Sequence, residues 1–303
     1  MKLHNFNSGP SILPPVVMQK AAEAIMDFEG SGLSILEIGH RTSLFQDVMQ
    51  EAVQSVKTLM QIGDDYEVLF LHGGATTQFM QVPMNLLDTH ETAAYCDNGI
   101  WGNKAIKEAA HFGKVQVVTD STTNNHTRID KNFIVDPTAK YLHFTTNNTV
   151  EGTQWHTLPN TSVPLVADMS SDIFYAPRNF NQFSLIYAGA QKNMGAAGVN
   201  MVVVKKDLLG KMTRKIPTIM DYQKHIAAGS LMNTPPVFAI YVSLLTLRWI
   251  IEEGGLPEMQ LRNTAKSNLL YQTIDSLPVF EVRVAKEDRS LMNAVFFLKD
   301  QSL

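Results

Sequence analysis

Apolar segments that alternate with helix-like segments impose the strongest constraint on how this chain can fold. Residues 75–87 and 100–113 have the character of helices, and they separate the first three apolar segments. A strand that is apolar at successive positions is buried on both faces, which is typical of a parallel sheet between two helical layers. The pattern therefore predicts an α/β fold with a mostly parallel sheet covered by helices on both faces. The predicted strands lie at residues 66–74, 92–99, 114–120, 141–149, 164–171, 183–188 and 199–204.

The pattern changes in the last third of the chain. Helices are predicted over residues 237–253 and 257–276, and strands over residues 279–284 and 291–300. These elements are typical of the start of a second, smaller α+β domain. The last predicted strand is apolar and is followed by only three residues, so nothing would cover its faces. We therefore expect the small domain to be incomplete and the chain to be truncated.

Composition and charge exclude several classes of protein. The net charge is −4, so a basic surface of the kind that binds nucleic acid is not expected. The single cysteine, Cys96, excludes a disulfide framework and indicates a reducing, cytoplasmic compartment. The most apolar run, residues 235–251, contains Ser243, Thr246 and Arg248, so it is interpreted as a core helix rather than a membrane span. The nine histidines lack the spacing of metal ligands, and no metal site is predicted.

A glycine turn follows the first predicted strand, at residues 72–78 (HGGATTQ). It leads into a helix, so the backbone N–H groups of Ala75, Thr76 and Thr77 would face an anion at the helix N-terminus. The turn matches neither the P-loop nor the dinucleotide fingerprint, and a nucleotide is not implied. Taken alone, the segment is interpreted equally well as an ordinary glycine turn with a threonine N-cap.

Two further side chains lie at the ends of predicted strands. Trp101 comes just after the second strand, where its ring could stack on a planar ligand, although a lone tryptophan is more often part of a core. Asp168 closes the strand at 164–171, and a carboxylate there is costly without a partner. A protonated heteroaromatic nitrogen is one such partner; a cap or a buried salt bridge is the alternative.

Lys192 lies between the last two predicted strands. Desolvation lowers the pKa of an amine, which favours the neutral form that makes a Schiff base with a carbonyl. A lone lysine at such a place is usually a solvated loop residue. The order of the features, however, suits pyridoxal 5′-phosphate, with phosphate at the glycine turn, ring on Trp101, ring nitrogen on Asp168 and aldehyde on Lys192.

Longer segments then show a family resemblance that covers the whole chain. The most specific are YAGAQKN (187–193) and SLMNTPP (230–236). With them, the chain resembles the phosphoserine aminotransferase family, in class V of the fold-type I pyridoxal-phosphate enzymes. The other similar segments are NFNSGP (5–10), GHR (39–41), LFLHGGATTQF (69–79), DNGIWG (97–102), NNTVEGTQ (147–154), VADMSSDI (166–173), KDLLGK (206–211) and DRSLMN (288–293).

The resemblance implies a seven-stranded fold-type I domain and a division of the chain. Residues 1–15 would be an N-terminal arm of the small domain, residues 16–240 the large cofactor-binding domain, and residues 241–303 an incomplete small domain. It also implies a homodimer in which each active site is shared between the subunits.

The resemblance further implies a role for each site residue. Lys192 would carry the cofactor and then shuttle a proton, while Asp168 keeps the ring nitrogen protonated. The remaining cofactor contacts would come from Ala75, Thr76, Trp101, Thr149 and Gln191, with Asn233 and Thr234 reaching the phosphate from the partner subunit. Substrate contacts would come from Ser8, His40 and Arg41. Some family members have arginine at the position of Thr76, and the family's last substrate-binding arginines would lie beyond Leu303.

The activity implied is an amino-group transfer between L-glutamate and 3-phosphohydroxypyruvate, giving 2-oxoglutarate and O-phosphoserine in two half-reactions of serine biosynthesis. A parallel step in pyridoxine biosynthesis is a second expected use. The alternatives are an alanine–glyoxylate-type aminotransferase, a cysteine desulfurase, or a truncated form that binds cofactor without efficient catalysis. A desulfurase needs a mobile cysteine, whereas Cys96 lies inside a predicted strand.

Overall fold

The computed structural model describes residues 3–300. It contains eight α-helices and eleven strands in that range, together with short 3₁₀ turns. The helices are α1 (Pro15–Met26), α2 (Ser43–Met60), α3 (Ala75–Leu86), α4 (Ile100–Ala109), α5 (Ala190–Asn193), α6 (Tyr222–Ala227), α7 (Val237–Glu252) and α8 (Gly255–Ser276). The strands are β1 (Tyr66–His72), β2 (Thr92–Asp97), β3 (Lys114–Asp120), β4 (Leu142–Thr145), β5 (Asn147–Asn148), β6 (Thr153–Gln154), β7 (Leu165–Asp168), β8 (Phe183–Gly189), β9 (Val199–Lys205), β10 (Phe280–Glu281) and β11 (Phe297–Leu298).

The central sheet has seven strands in the order β1-β9-β8-β7-β4-β2-β3. The neighbours from β8 to β3 pair in parallel, whereas β9 runs antiparallel to both β8 and β1. All seven predicted strands are in this sheet, so the predicted α/β architecture is confirmed. Because β1 and β8 are each antiparallel to β9, six strands end at the same edge, and that edge is where ligands bind in α/β sheets.

Helices cover both faces of this sheet. Alternate residues of each strand face opposite sides, as Val68 and Leu69 of β1 show by belonging to two separate apolar clusters. One cluster packs the sheet against α1, α2 and α7, and the other packs it against α3, α4 and α6. The strands are therefore buried on both sides, as their continuous apolar sequences predict.

The apolar helix α7 lies inside the protein, between α1, α2 and α8. A helix that is surrounded by other helices can be apolar on every side, which explains its composition. Within residues 3–300, no helix is long and apolar enough to cross a membrane. The helix also spans residue 240, the boundary that the sequence suggests between two domains, and that division stays a prediction.

The two C-terminal strands are much shorter than predicted. The sequence suggests strands over 279–284 and 291–300, but the structure contains only the two-residue strands β10 and β11. The backbone of residues 289–293 turns instead toward β5 and β6, where Leu291 donates its N–H to Gln154 Oε1 at 2.9 Å. The apolar pattern alone was misleading because it contains no information about this distant partner.

Candidate active site

A cavity lies at the edge where the parallel strands end. Asp168 is the last residue of β7, Lys192 lies in α5 directly after β8, and α3 begins just after β1. Three elements that are distant in sequence thus bring their polar residues together. The cavity is lined by Gly74, Ala75, Thr76, Trp101, Thr145, Asn147, Asp168, Ser170, Ser171, Gln191 and Lys192.

The carboxylate of Asp168 is almost completely buried, with 4% of the residue exposed. Its Oδ1 accepts hydrogen bonds from the backbone N–H and the hydroxyl of Ser170, at 2.9 and 2.6 Å. Burial nevertheless raises the pKa of Asp168 above its ordinary value, although the Ser170 bonds and the positive charge of Lys192 lower it. A cationic ligand atom in the cavity would compensate the lost hydration of this carboxylate.

Thr149 joins two of the predicted site residues. Its Oγ1 accepts a hydrogen bond from Lys192 Nζ at 3.3 Å and another from Trp101 Nε1 at 3.2 Å. Lys192 Nζ lies 5.1 Å from the centroid of the Trp101 ring. Because the hydroxyl accepts both bonds, its own hydrogen is available to a ligand oxygen.

The amine of Lys192 is partly buried in the cavity. Burial lowers its pKa below the ordinary value, while the negative charges of Asp168 and Asp172 act in the opposite direction and raise it. Burial is the larger effect, so the neutral amine is more abundant here than in an exposed lysine.

The turn before α3 leaves the start of that helix open to the cavity. Gly73 has a φ of +92°, and a Cβ at this residue would lie 2.3 Å from Thr77 Oγ1. Gly74 is the N-cap of the helix and has no side chain, so the N–H groups of Ala75 and Thr76 have no side-chain cap at the cavity. The N–H group of Thr77, which the sequence also suggested for an anion, donates instead to Gly74 O at 3.0 Å. Gln191 reaches the same place, because a Cβ on Gly189 would lie 2.9 Å from Gln191 Oε1 and 3.5 Å from Ala75 N.

The N-terminal segment, residues 8–11, packs against Lys192. A Cβ on Gly9 would lie 2.9 Å from Lys192 Cγ, so the backbone passes very close to the aliphatic part of this side chain. Ser11 donates its N–H to Gln191 O at 3.0 Å, and its hydroxyl donates to Lys192 O. Ser8 lines the larger cavity that opens beside Lys192.

Four predicted residues lie elsewhere in the single chain. His40 and Arg41 precede α2, and neither is among the described residues that line the cavities at Lys192. Asn233 lines a different cavity with His72 and Gly73, on the other side of the glycine turn. His72 Nε2 donates a hydrogen bond to Thr234 O at the same place.

Sequence reasoning missed Ser170 and Asn293. Ser170 Oγ donates to Asp168 and accepts from Gly189 N at 3.0 Å, which ties the ends of β7 and β8 together. The polar run after the apolar strand at 164–171 is a signal that could have identified it. Asn293 accepts from Asn147 Nδ2 at 3.0 Å and donates to Thr149 O at 3.1 Å. No local pattern predicts that pairing, although residue 293 belongs to a segment with a family resemblance.

Cys96 is completely buried in β2, and burial raises the pKa of its thiol. A buried thiol of this kind is a poor nucleophile, since thiolate is the reactive form. The position agrees with the prediction that this residue is structural.

Comparison with known proteins distinguishes phosphoserine aminotransferase from the other class V enzymes that the sequence left as alternatives. The Aminotransferase class-V family profile matches residues 3–302. A phosphoserine aminotransferase of Flavobacterium psychrophilum is 50% identical over 303 residues, which cover 100% of this chain and 85% of that protein. The chain belongs to the phosphoserine aminotransferase family of class V aminotransferases. This aminotransferase is also 49% identical to the phosphoserine aminotransferase of Bacteroides fragilis over 298 residues, 98% of this chain and 83% of the relative.

Solved structures are similar to this aminotransferase over nearly its whole length. The phosphoserine aminotransferase from Bacillus circulans subsp. alkalophilus has a TM-score of 0.95 and 40% identity, covering 98% of this chain and 84% of that one. The pyridoxal-phosphate-bound enzyme from Trichomonas vaginalis has a TM-score of 0.93 and 32% identity, covering 99% and 90%. An alanine–glyoxylate aminotransferase from Nostoc is only 15% identical, with a TM-score of 0.75, and shows a shared fold alone.

The site fits pyridoxal phosphate on three observations. The buried carboxyl of Asp168 needs a cationic partner, the start of α3 offers uncapped N–H groups to a phosphate, and the amine of Lys192 has a lowered pKa. These groups line one cavity with the ring of Trp101 at its side.

Proposed function

We propose that this aminotransferase uses pyridoxal phosphate to transfer the amino group between L-glutamate and 3-phosphohydroxypyruvate, giving 2-oxoglutarate and O-phosphoserine. The observation that carries the proposal is the shared cavity of Asp168, Lys192, Trp101 and the start of α3, in a chain of this family. When bound, pyridoxal phosphate supplies an aldehyde and a ring that withdraws electrons.

We assign the cofactor contacts from the charge and the hydrogen-bonding groups of the residues at the cavity. Asp168 holds a proton at the ring nitrogen, because a buried carboxylate is stabilised by a cation. Trp101 would pack against the ring of the cofactor, and Thr149, whose Oγ1 accepts from Trp101 and Lys192, would donate its hydroxyl hydrogen to a cofactor oxygen. Gln191 and the backbone N–H groups of Ala75 and Thr76 bind the phosphate, favoured by the positive end of the α3 dipole.

Lys192 has two roles in this proposal. Its Nζ is the amine that binds the aldehyde, which requires the neutral form that burial favours. The same Nζ would also take up and return a proton at the substrate carbon. Thr149 Oγ1 accepts a hydrogen bond from Nζ and keeps it on the cavity side of Trp101.

Substrate binding is assigned to Ser8, His40 and Arg41. Ser8 lies at the cavity beside Lys192, and an arginine binds carboxylate or phosphate with two parallel hydrogen bonds. Arg41 is exposed and lies outside the cavity of its own chain.

We propose that the active form is a homodimer with shared active sites. Asn233 and Thr234 lie behind the glycine turn rather than in the cavity of their own chain. We assign their side chains to the phosphate that would be bound by a second subunit. Serine biosynthesis in the cytoplasm is the proposed setting, with formation of 4-phosphohydroxythreonine for pyridoxine biosynthesis as a parallel use.

Replacing Lys192 tests the assignment of the amine. Lys192→Ala is expected to abolish both the visible absorbance band of the bound cofactor and the half-reaction with glutamate, because no other amine lies in the described cavity wall. Absorbance and stopped-flow spectra measure the two losses. Lys20→Ala on the exposed face of α1 is the control, and retention of both signals in Lys192→Ala would contradict the assignment.

A panel of keto acids tests the substrate. We expect 3-phosphohydroxypyruvate to have a kcat/KM at least about tenfold above that of hydroxypyruvate, because groups that bind the phosphate are left unpaired with the analogue that lacks it. Steady-state rates with glutamate as donor measure the ratio. Equal rates would favour the alanine–glyoxylate type.

A further inference from the structure

Glu151 lies between β5 and β6 and reaches the start of α4. Its Oε1 accepts a hydrogen bond from the backbone N–H of Ile100 at 2.8 Å. Ile100 is the first residue of the helix, and its N-cap, Gly99, has no side chain that could accept such a bond. A residue that is distant in sequence thus provides a cap of the kind that a Ser, Thr, Asp or Asn at the N-cap position can provide.

Gly99 permits this contact because it lacks a side chain. A Cβ at Gly99 would lie 2.5 Å from both the carboxyl carbon and Oε2 of Glu151. The carboxylate therefore rests directly against the backbone of the first turn. Its negative charge is also favoured by the positive end of the helix dipole.

The same hairpin loop contacts α4 at a second point. Trp101 follows Ile100, and its indole Nε1 donates to Thr149 Oγ1, two residues before Glu151. The loop therefore holds the helix by its backbone and by the tryptophan ring. The bond from Ile100 N–H to Glu151 and the bond from Trp101 Nε1 to Thr149 together restrict the orientation of the Trp101 ring more than either bond alone.

We infer that Glu151 is a positioning residue that holds the Trp101 ring in the orientation for stacking on the cofactor. The inference rests on the stacking role proposed for Trp101. Glu151 is not among the described residues that line the cavity; it acts through the start of α4. Loss of the cap frees the first turn, and the ring then samples orientations that do not stack.

The test measures the Kd of pyridoxal phosphate for the apo protein by absorbance titration. Glu151→Ala is expected to raise the Kd about fivefold, the size of effect that loss of a helix N-cap produces. Glu151→Gln keeps an acceptor oxygen and is expected to restore most of the affinity. Glu252→Ala, an exposed glutamate at the end of α7, is the control and should leave the Kd unchanged.

The deciding measurement is a double-mutant cycle with Trp101→Ala. If Glu151 acts through the ring, Glu151→Ala has no further effect on the Kd once Trp101 is alanine. An equal rise in both backgrounds would indicate a general structural role and overturn the inference, as would an unchanged Kd in Glu151→Ala alone. If Trp101→Ala itself leaves the Kd unchanged, the stacking role fails and the inference fails with it.

Gly99→Ala tests the same contact from the helix side. Its new methyl group would displace the Glu151 carboxylate, so the Kd should rise as in Glu151→Ala. The double variant Gly99→Ala with Glu151→Ala should be no weaker than either single variant. If Glu151→Ala shows no cooperative thermal unfolding, the single variant Gly99→Ala takes its place in the cycle with Trp101→Ala. Additive effects of Gly99→Ala and Glu151→Ala on the Kd would count against the inference.

Discussion

At Lys192, burial and charge act on the amine in opposite directions. Burial lowers its pKa, and the nearby carboxylates of Asp168 and Asp172 raise it again. For an amine, a lowered pKa means that the neutral form is present at lower pH than in an ordinary lysine. The reactivity of this side chain is therefore set by its surroundings and not only by its identity.

The pH dependence of cofactor binding should report that balance. The rate at which pyridoxal phosphate binds covalently to the apo protein is expected to rise with pH, because only the neutral amine reacts. Its midpoint should lie below 10.5, the ordinary pKa of a lysine. Stopped-flow absorbance across pH measures the midpoint. A midpoint at or above the ordinary value would contradict the burial effect.

Asp168→Asn sharpens this measurement. The substitution removes a negative charge that stabilises the protonated amine, so the midpoint is expected to move to still lower pH. Asp64→Asn, at an exposed position, is the control and should leave the midpoint unchanged.

Residues at strand ends were the part of the site that sequence could predict. Asp168 and Lys192 each follow an apolar strand, so the edge at which both lie was predictable from the pattern. The roles of His40 and Arg41 stay predictions. Asn293 could not be found in this way, because its partners lie more than 140 residues earlier in the chain.

At the scale of elements, the glycine turn before α3 offers a matched pair of substitutions. Gly73→Ala would place a methyl group against Thr77 at a positive φ, and the expected loss is about 1–3 kcal/mol in the free energy of unfolding. Gly74 has an extended conformation with open space around it, so Gly74→Ala should cost less than about 1 kcal/mol. Denaturant unfolding of the apo protein measures both, and equal losses would contradict the steric argument.

The segment at residues 288–293 is predicted to support the site although it lies at the end of the chain. Asn293→Ala removes hydrogen bonds to Asn147 and Thr149, so we expect a loss of about 1–3 kcal/mol in the free energy of unfolding. The Kd of pyridoxal phosphate should also rise, because the backbone carbonyl of Thr149 loses the Asn293 side chain that donates to it. Denaturant unfolding and absorbance titration measure the two effects.

Asn268→Ala on the exposed side of α8 is the matched control for this substitution. It removes the same amide group from a solvated helix position, where alanine is a good helix former. Equal behaviour of the two variants would show that residue 293 does not support the site.

Helix boundaries were predictable because the residues that set them lie in the same segment of the chain. The helices predicted over residues 237–253 and 257–276 are observed as α7 (Val237–Glu252) and α8 (Gly255–Ser276). The prediction of a long strand over residues 291–300 was wrong, because the backbone at Arg289 and Leu291 pairs with β6 instead. Periodicity reports which face is buried, but not which partner buries it.

For the whole molecule, the shared active site is the prediction with the sharpest test. A Lys192→Ala chain and an Asn233→Ala/Thr234→Ala chain should each be inactive alone. In a mixed dimer with shared sites, one site carries all the substitutions and the other carries none. Mixing equal amounts under conditions that exchange subunits is therefore expected to restore about a quarter of the wild-type activity.

The control for this mixture is the Lys192→Ala chain mixed with the wild-type chain. Light scattering measures whether the protein is a dimer. Activity that stays at the level of the separate variants would indicate that each chain completes its own site.

The antiparallel direction of β9 has a consequence for motion. A parallel return to the sheet needs a dozen or more residues, whereas here residues 190–198 suffice to connect β8 to β9 at the same edge. The backbone that bears Lys192 is thus tethered at both ends to the central strands with little slack. The amine of Lys192 therefore moves mainly through rotation about its own side-chain bonds. The conformational entropy of this backbone segment is lost once, when the protein folds, and not again in every catalytic cycle.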